Sequence, residues 1–140
     1  MATRRKLLIA LGAGALAAPL RSFAQPQGKV WRIGFLSPSS AASAEGRVNA
    51  FRAGMREYGY LEGKNLAIEF RWADDKDERL SALAEELVSL KPDVIVTFAS
   101  LSVRTAKAAT ATIPIVIANA SDAVSVGLVA SLARPGGNVT

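Results

Sequence analysis

The sequence has 140 residues, half of them apolar, and contains neither cysteine nor histidine. This length and composition predict one globular domain, and the missing residue types exclude disulfides, thiol nucleophiles, Cys/His metal sites and histidine general bases. Four of the 17 basic residues lie in the first 24 residues, which hold no acidic residue, so the remainder has 13 basic and 12 acidic side chains. That near-neutral remainder offers no concentrated basic face for a nucleic acid.

Residues 1–24 are predicted to be a cleaved export signal. Basic residues at 4–6 precede an apolar run at 7–20, and small residues occupy the −3 and −1 positions of a cleavage site after Ala24. The run is too short to span a membrane comfortably. The adjacent arginines fit a twin-arginine signal and equally an ordinary Sec signal, and both remain open. Either signal predicts a periplasmic protein, with residues 25–29 as a short linker.

The same apolar run contains a G-x-G-x-x-A pattern at residues 12–17, which is typical of dinucleotide-binding turns. That fingerprint needs a preceding strand and an acidic residue about 20 positions later for the ribose. Only six residues precede the run, and the first acidic residue after it is Glu45. The pattern is therefore interpreted as part of the signal, and no cofactor is predicted.

From residue 30 onward, predicted strands alternate with predicted helices. The strands are placed at 31–36, 66–71, 93–97 and 113–118, with the opening of a fifth at 138–140. The helices are placed between them at 44–58, 77–90, 101–110 and 123–133. Apolar residues three and four positions apart, such as Val48, Phe51 and Met55, indicate one buried face on a helix.

Strict alternation of strand and helix predicts an α/β fold with a doubly wound parallel sheet, covered by helices on both faces. We expect the flavodoxin-like strand order 2-1-3-4, with a fifth position beside strand 4, in a single lobe spanning residues 30–140. The second strand alternates apolar and polar residues, which indicates an edge, whereas the third is apolar throughout, which indicates a central position.

Three small polar loops, at residues 37–40, 98–101 and 119–122, follow strands 1, 3 and 4. In such sheets, ligands bind outside the carboxyl ends of the strands, near the point where the strand order reverses. Hydroxyls and free N–H groups at helix N-termini suit a carboxylate or another anionic group. The same residue types also cap helices and shape turns, and spacing alone favours that structural role.

The sequence gives catalysis little support, and we expect the protein not to be an enzyme. Ser100 lacks the G-x-S-x-G frame of a hydrolase nucleophile. Thr97 stands where a receiver domain would need an aspartate. The acidic cluster at 74–78 lacks calcium-loop spacing, and interaction with the dipole of the second helix explains it better. Trp72 either stacks on a ligand or packs against the second helix.

Four stretches resemble the tryptophan/tyrosine-type substrate-binding proteins of ABC transporters, the ABC_sub_bind group: KVWRIGFLSPSSAA, GYLEGKNLAIEFRWAD, LKPDVIVTFAS and GLVASLARPGGNVT. The resemblance runs from Lys29 to Thr140. It implies a two-lobed periplasmic binding protein that closes around a small molecule, such as an amino acid or related carboxylate, and delivers it to an ABC permease in the inner membrane. The positions that match ligand-contacting loops in this family are Ser37, Ser39, Ala99, Ser100, Ser121 and Asp122.

The sequence departs from the family pattern in two of these loops. Ala99-Ser100-Leu101 replaces a frequent Gly-Thr-Pro, and Ser121-Asp122-Ala123 replaces a frequent Gly-Asp-Pro. The sequence also supplies about one lobe of two, so we expect a truncated product or a fragment with weak affinity on its own. A ligand-sensing extracytoplasmic domain of a receptor, an exported enzyme of similar architecture and a non-functional truncated remnant remain as alternatives.

Overall fold

The computed structural model describes residues 28–140 except positions 122, 126, 132 and 135. The export signal predicted at 1–24, and residues 25–27 of the predicted linker, lie outside the described residues. The strands are β1 (Trp31–Ser37), β2 (Leu66–Trp72), β3 (Val94–Phe98) and β4 (Ile115–Asn119). The helices are α1 (Ala41–Glu57), α2 (Leu80–Ser89) and α3 (Ser100–Ala109).

The four strands form one parallel sheet in the order β2-β1-β3-β4, which confirms the predicted topology. Ile33 of β1 lies opposite Ile68 of β2 on one side and Val94 of β3 on the other. Val139 forms a parallel bridge with Ile115, at the place beside β4 where the sequence predicts a fifth strand. The two central strands are therefore β1 and β3, and β2 occupies the predicted edge.

The helix predicted at 123–133 is wrong for the described residues of that segment, which form turns and bends. Gly127 has φ 72°, in the left-handed region that a right-handed helix excludes, and its N–H donates to the carbonyl of Val124 at 3.0 Å. Leu128 and Val129 are nevertheless buried in the core. The apolar spacing of this segment thus reflects burial in an irregular connection.

Helix α3 begins one residue before its predicted start, and two other helix starts differ from the predicted ones by three residues. Helix α1 begins at Ala41, because the hydroxyl of Ser40 accepts the N–H of Ser43 at 3.3 Å and caps the helix. A 3-10 turn at Asp77–Arg79 precedes α2. The acidic cluster at 74–78 lies at this N-terminal approach to the helix, where Asp74 pairs with Arg79 at 2.7 Å. Within the described part of the chain, no helix has the length and apolarity needed to cross a membrane.

The sheet separates two apolar clusters, as a doubly wound fold requires. Side chains alternate along β1, so Phe35 packs under α1 while its neighbour Leu36 packs against α2 and α3. Phe35 is 1% exposed and Leu36 is fully buried. Both faces of β1 are covered, which explains why this strand reads as a continuous apolar run.

Aromatic rings from the sheet and from α1 form a continuous row between them, with Phe35 at its centre. The ring centroid of Phe35 lies 5.1 to 5.9 Å from those of Phe51, Phe70, Trp72 and Phe98. Trp72 stacks on Phe70 at 5.5 Å with an interplanar angle of 7°. Trp72 therefore packs on the α1 side of the sheet, and its packing against the second helix is not observed.

Asp93 joins the start of β3 to the start of β1. Its Oδ2 accepts the backbone N–H of Arg32 at 2.9 Å, and its Oδ1 accepts the ammonium of Lys29 at 2.6 Å. The hydrogen bond from the Arg32 backbone, followed by that from Lys29, lowers the pKa of Asp93 below its usual value of 3.8. The stabilisation from ionised Asp93 is therefore fully present above that value and is lost as the pH falls through the folded-state pKa.

We expect Asp93→Asn to lower the free energy of unfolding at neutral pH, because the neutral amide binds both donors less strongly. The penalty should shrink as the pH falls from 3.8 through the lower folded-state pKa, where Asp93 of the folded parent protein also becomes protonated. Urea unfolding at neutral pH and in acid measures both values. Glu85→Gln on the exposed face of α2 is the control, and an equal Asp93→Asn penalty at both pH values would contradict the prediction.

Candidate functional site

The loops that follow β1, β3 and β4 line one cavity of about 220 Å³ at the carboxyl end of the sheet. Five of the six predicted site residues lie on its wall: Ser37, Ser39, Ala99, Ser100 and Ser121. The sixth, Asp122, lies outside the described residues. The fold therefore brings these five positions together from three separate loops, while their role in binding stays a prediction.

The β1 loop turns two hydroxyls toward each other. Ser37 is the last residue of β1 and is buried, and its Oγ lies 2.8 Å from the Oγ of Ser39. Ser40, the next residue, caps α1 instead. The structural role that spacing favours applies to Ser40 and also to Ser37, whose Oγ accepts the N–H of Ser39 at 3.4 Å. Ser37 and Ser39 in addition line the cavity.

The β3 loop is tied to the end of β4 through its backbone. The N–H of Ala99 donates to the carbonyl of Asn119 at 2.7 Å, and α3 begins at the next residue, Ser100. No side chain caps the N-terminus of α3 in the described structure. Its first turn therefore places partial positive charge beside the cavity.

Ala99 has a backbone conformation that favours glycine, with φ 66° and ψ 149°. An alanine in this region stores about 1–3 kcal/mol of strain. Glycine, which the resemblance leads us to expect at this position, would adopt this conformation without a steric penalty.

We expect Ala99→Gly to raise the free energy of unfolding by about 1 kcal/mol, because the relieved strain exceeds the extra entropy of glycine in the unfolded chain. Chemical denaturation measures the change. Ala50→Gly in the exposed middle of α1 is the matched control, and it should cost about 1 kcal/mol. Destabilisation by both substitutions would contradict the strain at Ala99.

Five further residues lie on the cavity wall: Pro38, Phe98, Asn119 and Ala120, which belong to the three predicted loops, and Arg47, which the sequence patterns did not indicate. Four of them flank the predicted positions within the same loops. Arg47 is different, because it comes from the second turn of α1 and reaches the cavity wall over the ring of Phe98. Its Nη2 donates to the Oγ of Ser39 at 3.2 Å, and its Cζ lies 5.4 Å from the ring centroid of Phe98.

The described part of the cavity wall is electropositive. Arg47 is the one charged side chain among the described lining residues, and the remaining polar groups there are hydroxyls and an amide. Together with the uncapped N-terminus of α3, this arrangement favours an anionic group.

A second cavity of about 200 Å³ lies on the opposite flank of α1, against the β2 edge. Phe70 and Trp72 line it from the sheet and Glu45, Asn49 and Arg52 line it from α1. None of the predicted site residues lies on its described wall, so it is separate from the strand-end cavity.

Residues 32–140 match the family model described as ABC transporter substrate binding protein. A curated relative, the tyrosine-binding protein of Clostridioides difficile (strain R20291), is 35% identical over 103 residues. That match covers 74% of this chain and 29% of the relative. The chain therefore spans less than a third of the length of this relative.

Three solved structures are similar to the fold. A conserved domain protein from Vibrio cholerae has a TM-score of 0.75 and 30% identity, covering 80% of this chain and 38% of that chain. The ligand-free, open structure of a substrate binding protein with adhesive properties from Clostridium difficile has a TM-score of 0.73 and 31% identity, with 79% and 38% covered. An ABC domain in complex with L-Trp from Streptococcus pneumonia has a TM-score of 0.72 and 27% identity, with 79% and 37% covered.

Proposed function

The chain belongs to the family of ABC transporter substrate-binding proteins, and from this premise we propose that it binds an amino acid or a related small carboxylate in the strand-end cavity. The observation that carries the proposal is the convergence of Ser37, Ser39, Ala99, Ser100 and Ser121 from three loops on that one cavity. Hydroxyls, backbone N–H groups and a helix N-terminus are suitable donors to a carboxylate. Asp122 completes the proposed contact set as a partner for an amino group.

The ligands named for two similar proteins indicate which amino acid to test first with this chain. One relative is a tyrosine-binding protein, and one similar structure holds L-Trp. We therefore propose an aromatic amino acid as the first candidate. Since the family consists of binding proteins, the chain is proposed to act by binding, without catalysing a reaction.

We propose that the chain forms one lobe of a two-lobed binding protein. It covers only 29% to 38% of the relatives it matches. The cavity of about 220 Å³ is also smaller and more open than the closed sites of about 300–1,000 Å³ that bury small ligands. A second lobe closing over the strand ends would supply the missing wall.

The proposed setting is the periplasm, after cleavage of the export signal behind Ala24. There the whole binding protein would deliver its ligand to an ABC permease in the inner membrane. The family membership and the sequence of residues 1–24 support this setting. Mass spectrometry of the protein from the periplasm of its host tests the cleavage, because a mature chain beginning at Gln25 is expected.

An amide-resolved NMR titration of the chain with L-tyrosine and L-tryptophan tests the binding. We expect saturable shifts at Ser39, Ser100 and Ser121, with millimolar affinity for one lobe. Ser100→Ala should weaken binding by about three- to tenfold, the effect of one neutral hydrogen bond. Ser81→Ala, at an exposed position of α2, is the control. The absence of saturable shifts, or shifts confined to the second cavity, would overturn the proposed function.

A further inference from the structure

Arg47 is in a different environment from three other arginines of the structure. Arg52, Arg71 and Arg79 each pair with a carboxylate at 2.7 to 2.9 Å. Arg47 contacts neutral groups instead, the hydroxyl of Ser39 and the ring of Phe98. One of its five N–H donors has a hydrogen-bond partner among the described residues, so four remain available.

The position of the Arg47 guanidinium is defined by contacts on two sides. Helix α1 lies across the aromatic row, with Arg52 over Phe70 at 5.2 Å on one flank and Arg47 over Phe98 at 5.4 Å on the other. The hydrogen bond to Ser39 holds the Arg47 side chain toward the β1 loop. The charge is therefore placed at the cavity wall before any ligand arrives, which reduces the entropy that binding must overcome.

The chemistry of this wall matches a carboxylate. A guanidinium is planar and presents parallel N–H donors that fit both oxygens of a carboxylate. The other described lining groups are neutral, so Arg47 supplies the one full charge there. Its charge favours binding of a carboxylate over an amide of the same shape, because the ionised carboxylate forms the stronger hydrogen bond with the charged guanidinium.

We propose that Arg47 binds the carboxylate of the ligand, and that it thereby selects carboxylate-bearing amino acids over their amides. This role rests on the proposed function, since it assigns one residue to the recognition of that ligand class. Arg47 acts as a specificity-determining residue from α1, outside the three loops that the sequence identifies.

The test compares each amino acid that binds in the titration above with its carboxamide, L-tyrosinamide or L-tryptophanamide. Arg47→Gln should weaken binding of the amino acid by roughly ten- to hundredfold, and binding of the amide by less than about threefold. The affinity of Arg47→Lys for the amino acid should lie between those of Arg47→Gln and the parent, because lysine keeps the positive charge but lacks the parallel N–H donors of the guanidinium. Arg56→Gln is the control, since it removes one charge from the exposed face of α1 about 14 Å further along the helix.

The possible outcomes separate the two proposals. If the parent chain binds neither amino acid, the proposed function fails and the role of Arg47 fails with it. If the parent chain binds an amino acid but Arg47→Gln and Arg56→Gln weaken it equally, the role of Arg47 alone fails. Equal losses for the amino acid and its amide in Arg47→Gln would also overturn carboxylate recognition. Unchanged NMR signals of backbone N–H groups away from the cavity show that each variant is folded.

Discussion

Replacing Phe35 with alanine is expected to lower the free energy of unfolding by about 3–5 kcal/mol. Phe35 is 1% exposed and contacts four other aromatic rings between the sheet and α1, with centroids 5.1 to 5.9 Å away. Truncation removes the central ring of this row and leaves a cavity between the sheet and α1. The loss is a large fraction of the 5–15 kcal/mol that typically stabilises a domain.

Urea unfolding followed by circular dichroism measures the Phe35→Ala effect. The near-ultraviolet signal of the folded variant should also change, because Trp72 loses a ring neighbour at 5.5 Å. Phe35→Leu should cost less, since it keeps most of the buried volume. Tyr58→Ala is the control, because Tyr58 is 83% exposed. A Phe35→Ala loss no larger than that of Tyr58→Ala would show that the aromatic row is not a packed core.

Leu36→Ala is expected to cost about 2–5 kcal/mol for the same physical reason on the opposite face of the sheet. Leu36 is fully buried in the cluster that α2 and α3 cover, which also contains the fully buried Ile95. Its side chain lies on the opposite face of the sheet from the aromatic row, which separates the two substitutions spectroscopically. The folded Leu36→Ala variant should keep the near-ultraviolet signal of the parent.

The Leu36→Ala variant is measured by the same urea unfolding. Leu36→Met retains the side-chain volume and should cost less than about 1.5 kcal/mol. Leu61→Ala is the surface control, because Leu61 is 38% exposed. A changed near-ultraviolet signal in folded Leu36→Ala would contradict the prediction, because it would mean that the two apolar clusters are coupled through the sheet.

Most of the fold could be predicted because its signals are local. The apolar runs of β1 and β3 reflect burial on both faces, and the alternation along β2 reflects its place at the edge. The prediction of a helix at 123–133 was wrong because the spacing of apolar residues indicates which residues are buried and does not determine the backbone conformation. There the positive φ of Gly127 produces a turn that buries Leu128 and Val129 without a helix.

The candidate site could be predicted in part for a similar reason. Polar residues directly after strands mark the carboxyl edge of a parallel sheet, so the three loops were predicted from their positions, and the family resemblance indicated the individual residues within them. Arg47 carries no such signal. It lies within a helix, and whether it faces the cavity depends on how α1 sits over Phe98.

The sequence by itself determined the parallel sheet, its strand order, and the loops that form the cavity wall. These follow from hydrophobic periodicity and from the right-handed connections of alternating strands and helices. Only the tertiary structure decided that Trp72 packs on the α1 side, that Ala99 is held in a glycine-like conformation, and that Arg47 reaches Ser39. Each of these depends on a contact between elements distant in the chain: Trp72 with Phe35, Ala99 with Asn119, and Arg47 with Phe98. Short-range patterns carry no information about such contacts.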